Sequence, residues 1–77
     1  MREITNKMDE AVVRVRLLAG VPLRVHVNRG RNKIERFEGK IETVYPKIFT
    51  VRKVDGSLDT FSYSDVVAKN VLFFKAR

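Results

Sequence analysis

The sequence contains no cysteine, and this absence excludes several kinds of chemistry. Without thiols there are no disulfides, no thiolate nucleophiles and no zinc sites with sulfur ligands. The sequence also lacks an apolar run near the roughly 20 residues that a bilayer-spanning helix requires. Residues 1–10 mix charges and contain no hydrophobic signal-peptide segment. We therefore expect a cytoplasmic protein with no membrane span.

Positive charge dominates the residues that are present. The 77 residues include 16 Lys and Arg against 9 Asp and Glu, which gives a formal net charge of +7. Such a net charge on a small domain attracts nucleic acid, anionic membranes or acidic proteins. The alternative is that the domain is basic without binding a polyanion, as many small domains are. The length is sufficient for one domain with a thin core, so we expect a single domain over residues 1–77.

The N-terminal segment, residues 3–19, has the periodicity of an amphipathic helix. Gly20 and Pro22 then provide a stop signal. Val13–Leu17 also alternates with a period of two, which is typical of a strand, but the length and the stop signal favour a helix. The apolar residues that share one stripe are Ile4, Met8, Ala11, Val12, Val15, Leu18 and Ala19.

Residues 21–75 carry strand patterns separated by turn signals. Asn28–Asn32 and Asp55–Gly56 have the composition of tight turns, and Ser62–Asp65 is typical of a short turn or 3₁₀ connection. The runs between these signals predict five strands, at residues 23–27, 34–45, 48–54, 58–63 and 70–75.

The long second strand contains an irregularity. Its apolar phase shifts between Ile34 and Phe37–Ile41, with Gly39 between them, and a phase shift beside a glycine predicts a β-bulge or a sharp bend. Open edges of small sheets invite aggregation. We therefore expect the strands to form a closed or nearly closed barrel, with the helix covering one end or one face.

Several short blocks of this sequence resemble the Veg family of Gram-positive bacteria. The blocks are Asn28-Arg29-Gly30-Arg31, Ile34-Glu35-Arg36 with Gly39, Glu42-Thr43-Val44-Tyr45-Pro46 with Phe49, and Ser62-Tyr63-Ser64-Asp65-Val66. The resemblance implies a mainly β fold, a five-stranded SH3-like or Sm-like barrel over residues 21–75 behind a helix at residues 3–19. It also implies a non-enzymatic regulatory role: stimulation of biofilm formation by engaging a transcriptional repressor of matrix genes or another protein partner.

No residue pattern predicts catalysis. The single histidine, His26, stands between two valines of a predicted strand, which favours an exposed position over a triad with Ser62 or Ser64 and Asp65. The sequence has no Gly-x-Ser-x-Gly elbow, no glycine-rich phosphate loop and no spacing typical of metal ligands. We therefore expect a protein that is not an enzyme, with no catalytic residue, no cofactor and no metal.

The basic stretch from Arg24 to Lys40 is the strongest candidate for a binding surface. Four of its cations crowd the Asn28–Asn32 turn and the strand that leaves it. Arginines there can donate bidentate hydrogen bonds to phosphates or carboxylates. The alternative is a solvated turn without a ligand. The candidate residues of the whole surface are Arg24, Arg29, Arg31, Lys33, Arg36, Lys40, Tyr45 and Tyr63.

The two tyrosines are included because their rings can stack on bases or on arginine. For Tyr63, a packed ring with a hydrogen-bonded hydroxyl is the favoured alternative. The leading hypothesis is a protein partner, and the competing hypothesis is a nucleic-acid-binding module that uses the Arg29–Arg36 turn. The sequence leaves the oligomeric state open, and a homo-oligomer formed by strand addition is one option.

Overall fold

The computed structural model describes residues 3–76, with side chains from residue 7 onward. The prediction of one helix followed by five strands is confirmed, and the predicted turn after Ser62 is a short helix. In chain order the elements are α1 (Glu3–Leu18), β1 (Leu23–Gly30), β2 (Lys33–Val44), β3 (Ile48–Lys53), β4 (Leu58–Ser62), α2 (Tyr63–Val67) and β5 (Val71–Lys75).

The five strands form one antiparallel sheet in the order β4-β3-β2-β1-β5. The mainly β class is therefore confirmed. A closed barrel is not, because within residues 3–76 β4 and β5 remain the edges of the sheet and do not pair with each other. The chain between them forms α2, which contacts both edge strands.

The core lies on the concave face of the curled sheet, around Phe49 of β3. The Phe49 ring is fully buried, and its centroid lies 5.5 to 5.9 Å from the rings of Phe61, Tyr63 and Phe73. Phe61 is on β4 and Phe73 is on β5, so both edges of the sheet share the same core. Burial of each such ring stabilises the fold by roughly 1.5–3 kcal/mol.

β2 contains an irregularity, as the sequence predicted, but it lies beyond Gly39. The pairing of β2 with β3 shifts between Ile41 and Thr43. The pairing of β1 with β2 is continuous from Leu23↔Gly39 to Asn28↔Ile34. Ile34 is therefore out of phase only because it faces outward, while Glu35 occupies the inward-facing position.

Helix α1 closes part of the concave face. Ala11 and Val15 are buried, and the helix contacts α2 and β2. Val13 and Leu17 lie off the buried stripe and are 54% and 76% exposed. Met8, which the periodicity placed on the stripe, is also exposed. Within the described residues, neither helix has the length and apolar composition needed to cross a bilayer.

The short helix α2 begins with a capping box. The Ser62 hydroxyl accepts a hydrogen bond from the Asp65 N–H, and the Asp65 carboxylate accepts one from the Ser62 N–H, both at 3.2 Å. These two bonds satisfy backbone donors that the first turn of a helix leaves free. Ser62 and Asp65 therefore have a structural role, which holds the end of β4 against α2.

Candidate partner-binding surface

The β1–β2 turn is built by residues that tolerate unusual backbone angles. Gly30 has φ 140° and Asn32 has φ 60°, and the Asn28 side-chain oxygen accepts a hydrogen bond from the Gly30 N–H at 2.9 Å. Glycine and asparagine enter the left-handed region at the lowest cost. This local geometry projects Arg31 into solvent at the tip of the turn, as the sequence predicted.

We use the name turn surface for four exposed residues at this turn and on the strand that leaves it: Arg31, Lys33, Ile34 and Arg36. Ile34 and Arg36 lie on the convex face of β2, opposite Asn28 and His26 of β1. Within residues 7–76 the three cations form no ion pair, so their charges are available to a ligand. Ile34 is 46% exposed and adds an apolar group among them.

Arg29, the fourth cation of the predicted cluster, has a different role. Its guanidinium donates hydrogen bonds to Glu35 at 2.7 Å and to Asp59 at 3.1 Å, which ties β1 to β2 and β4. The hydrogen bond from Arg29 holds the pKa of Glu35 below its usual value, and the same bond raises the pKa of Arg29. Arg29 is therefore not counted in the turn surface, because its guanidinium is already bound to two carboxylates.

Lys53 completes a four-charge network at this end of the sheet. Its ammonium lies 3.5 Å from Glu35 and 3.4 Å from Asp59, and it sits 4.5 Å from the centroid of the Phe37 ring. This network of ion pairs was not predicted from the sequence, although the alternation of the strands could have indicated it. Glu35, Lys53 and Asp59 each occupy the inward phase of their strand, in step with buried aromatic or aliphatic residues.

Arg24 and Lys40 extend the positive charge along the convex face. Arg24 lies 3.6 Å from Glu38, with both side chains more than half exposed, so this pair is a weak contact. Lys40 is exposed beside Arg52, whose guanidinium binds both carboxylate oxygens of Glu42 at 2.8 and 2.9 Å. That hydrogen bonding lowers the pKa of Glu42. Arg24 lines a hollow together with Arg36, and both Arg24 and Lys40 remain predicted members of the binding surface.

The two tyrosines lie away from the arginines. Tyr45 is 47% exposed, but it follows the end of β2 opposite to the turn surface. Tyr63 is buried, and its hydroxyl donates a hydrogen bond to the Tyr45 carbonyl at 2.6 Å. The packed alternative for Tyr63 is confirmed, and its ring offers no face to a ligand. Burial raises the pKa of this hydroxyl, which keeps it protonated as a donor.

The structure does not assemble the triad that the sequence allowed. His26 lies half-buried on the convex face, with its ring 4.8 Å from that of Phe74 on β5. Ser62 and Asp65 stand at the opposite edge of the sheet, engaged in the capping box. The histidine is therefore a packing partner of an exposed aromatic ring.

These features define a small, mainly β domain with a helical N-terminus and a cationic convex face. The family model described as biofilm formation stimulator VEG matches residues 4–73, so the chain belongs to that family. The match confirms the resemblance seen in the sequence and implies a role connected with biofilm formation. No curated protein matches the chain.

Proposed function

We propose that the protein is a regulatory binding protein that acts in the cytoplasm without catalysing a reaction. Its turn surface binds an acidic region of a protein partner, such as a repressor of matrix genes, and this binding promotes biofilm formation. The observation that carries the proposal is that Arg31, Lys33 and Arg36, three exposed cations near exposed Ile34 in the sequence, form no ion pair within residues 7–76 of a chain of the biofilm formation stimulator family.

The mixed chemistry of the turn surface favours a protein ligand. Arginine donates paired hydrogen bonds to a carboxylate, and such charge-assisted bonds orient a partner. An exposed isoleucine gains by contact with another apolar side chain, which a phosphate backbone does not supply. Rigid support comes from the neighbouring network, because Arg29 and Glu35 fix the strands from which Arg31 and Arg36 project.

A capture experiment tests this proposal. Tagged protein is used to isolate partners from the native cytosol, with and without nuclease, beside two variants of equal charge change. The turn variant carries Arg31→Glu and Arg36→Glu, and the control variant carries Lys7→Glu and Lys47→Glu, which alter exposed lysines elsewhere. We expect one partner to be retained after nuclease by the wild type and the control variant, and lost by the turn variant. Retention by all three proteins contradicts the proposal.

Nucleic-acid binding is the second candidate, because the net charge is +7 and the three cations of the turn surface form no ion pair within residues 7–76. A gel-shift titration with salt separates the two candidates. Contact of three phosphates predicts a log–log slope of about −2.7 for duplex DNA and about −2.1 for single strands. If the nucleic-acid candidate is correct, retardation follows these slopes and the captured material disappears with nuclease. Without retardation at low salt, this candidate fails.

A further inference from the structure

The free edge of β5 is an interaction surface that the proposed function does not use. The Asn28 N–H donates to the Asn70 carbonyl at 2.7 Å, and the Ala76 N–H donates to the Pro22 carbonyl at 3.0 Å. In an antiparallel ladder hydrogen-bonded pairs alternate, so Leu72 and Phe74 direct their backbone groups toward β1. The N–H and C=O groups of the intervening residues, Val71, Phe73 and Lys75, therefore point outward from the sheet.

The two edges of the sheet are protected to different degrees. On β4, Asp59 is an inward-pointing charge, and the Ser62 N–H is occupied by the Asp65 carboxylate. Inward charges and blocked donors are devices by which proteins prevent edge pairing. β5 has the sequence Val-Leu-Phe-Phe-Lys, with no charge before its last residue and no proline or bulge. This edge has the properties of a strand that pairs with another chain.

Both faces of β5 beside the free edge are apolar. On the convex side, Leu72 and Phe74 are 41% and 47% exposed. On the concave side, a groove of about 730 Å³ separates β5 from α1, and Val13, Leu17 and Phe73 line it. A strand added to β5 places alternate side chains on these two faces. The surface therefore fits an extended segment that is apolar on both sides.

β5 itself is an extended segment of the kind that this surface fits. Val71 and Phe73 occupy its concave face, and Leu72 and Phe74 occupy its convex face. A second copy of this chain therefore supplies the occupant. The groove carries both signs of charge, because Lys75 lies at the end beside Leu23, and Asp9, Glu10 and Arg14 also line it.

We propose that two copies of this chain associate through β5 in an antiparallel, two-fold arrangement centred on Phe73. In this register Val71 pairs with Lys75 of the second copy, so every outward N–H and C=O of β5 acquires a partner. Leu72 of each copy lies opposite Phe74 of the other on the convex face. Lys75 of each copy meets Asp9 and Glu10 of the other, and the two sheets become one continuous sheet.

Sedimentation equilibrium of the full chain tests the pairing. We expect the wild type to show twice the 8.9 kDa mass of one chain. Leu72→Lys places a charge on the β5 edge and is expected to sediment as a monomer. Leu58→Lys makes the same change at a comparably exposed position of β4 and is expected to remain a dimer. Circular dichroism verifies that both variants are folded.

Charge reversal tests the register independently. Lys75→Glu is expected to raise the dimer dissociation constant roughly tenfold. When Asp9→Lys and Glu10→Lys are added to that variant, the dissociation constant is expected to return to the wild-type value. Such a return would show that Lys75 forms its ion pair with Asp9 and Glu10 of the other copy, because within residues 7–76 of one chain Lys75 forms no ion pair with either residue. A monomeric wild type at its highest soluble concentration overturns the proposal. Loss of the dimer in Leu58→Lys, or failure of the charge reversal to restore it, also overturns it.

Discussion

At Gly39 the backbones of β2 and β3 approach so closely that no side chain fits between them. A Cβ atom at this position would collide with the Arg52 carbonyl oxygen and would lie 3.0 Å from the Lys53 Cα. Both obstacles are backbone atoms of the paired strand, so they do not move aside as a flexible side chain would. Gly39 is therefore required by the close approach of the two strands.

Replacement of Gly39 measures the importance of this close approach. We expect Gly39→Ala to lower the free energy of unfolding by about 1–3 kcal/mol, because overpacking forces the backbones apart. Lys40→Ala, one residue along on the exposed face, is expected to change it by less than about 0.5 kcal/mol. Urea unfolding monitored by circular dichroism gives both values. Equal stability of Gly39→Ala and Lys40→Ala would refute the steric account.

At the scale of elements, the charge network connects strands that hydrogen bonds alone join only pairwise. Arg29 of β1 reaches Asp59 of β4 across two intervening strands, and Glu35 of β2 and Lys53 of β3 complete the set. The network lies at the end of the sheet from which the turn surface projects. It fixes the strands that present Arg31 and Arg36.

The network predicts a dependence of stability on pH. The hydrogen bond from Arg29 holds the pKa of Glu35 below its ordinary value of 4.5. A lowered folded-state pKa contributes stability that is present above the unfolded value and is lost as pH falls through the folded value. We therefore expect Glu35→Gln to be less stable than the wild type at neutral pH, with a difference that shrinks as pH falls below 4.5.

Thermal unfolding between about pH 7 and about pH 3 measures this difference. Glu38→Gln is the matched control, because within residues 7–76 the Glu38 carboxylate has only the exposed 3.6 Å contact with Arg24, and we expect a smaller effect at every pH. A destabilisation by Glu35→Gln that is constant from neutral to acid pH would show that the carboxylate charge is not its cause.

The strands and turns could be predicted because their signals are local. Alternation located the strands, and the Asp55–Gly56 pair located the β3–β4 hairpin. Closure of the sheet could not be predicted, since it depends on whether β4 and β5 pair, and the alternation within a strand carries no signal for such pairing. The role of Arg29 was hidden for a similar reason: its Asp59 partner is 30 positions away, and a cluster of cations in the sequence does not reveal which of them is already paired.

On the scale of the whole molecule, the two proposed interactions use different surfaces. The turn surface at one end of β2 carries three cations that form no ion pair within residues 7–76, while β5 exposes the apolar side chains of Leu72 and Phe74. Two-fold pairing through β5 would present two turn surfaces on one assembly. A divalent assembly binds a dimeric partner more tightly than one chain does, because the second contact is intramolecular.

The most direct test is matrix-gene expression from a reporter in cells that lack the chromosomal copy of this gene. The cells are supplied with the wild type, the turn variant or the control variant at matched protein levels. We predict that the wild type and the control variant restore expression and that the turn variant does not. Full restoration by the turn variant would contradict the central claim that the free cations of the β1–β2 turn bind the regulatory partner.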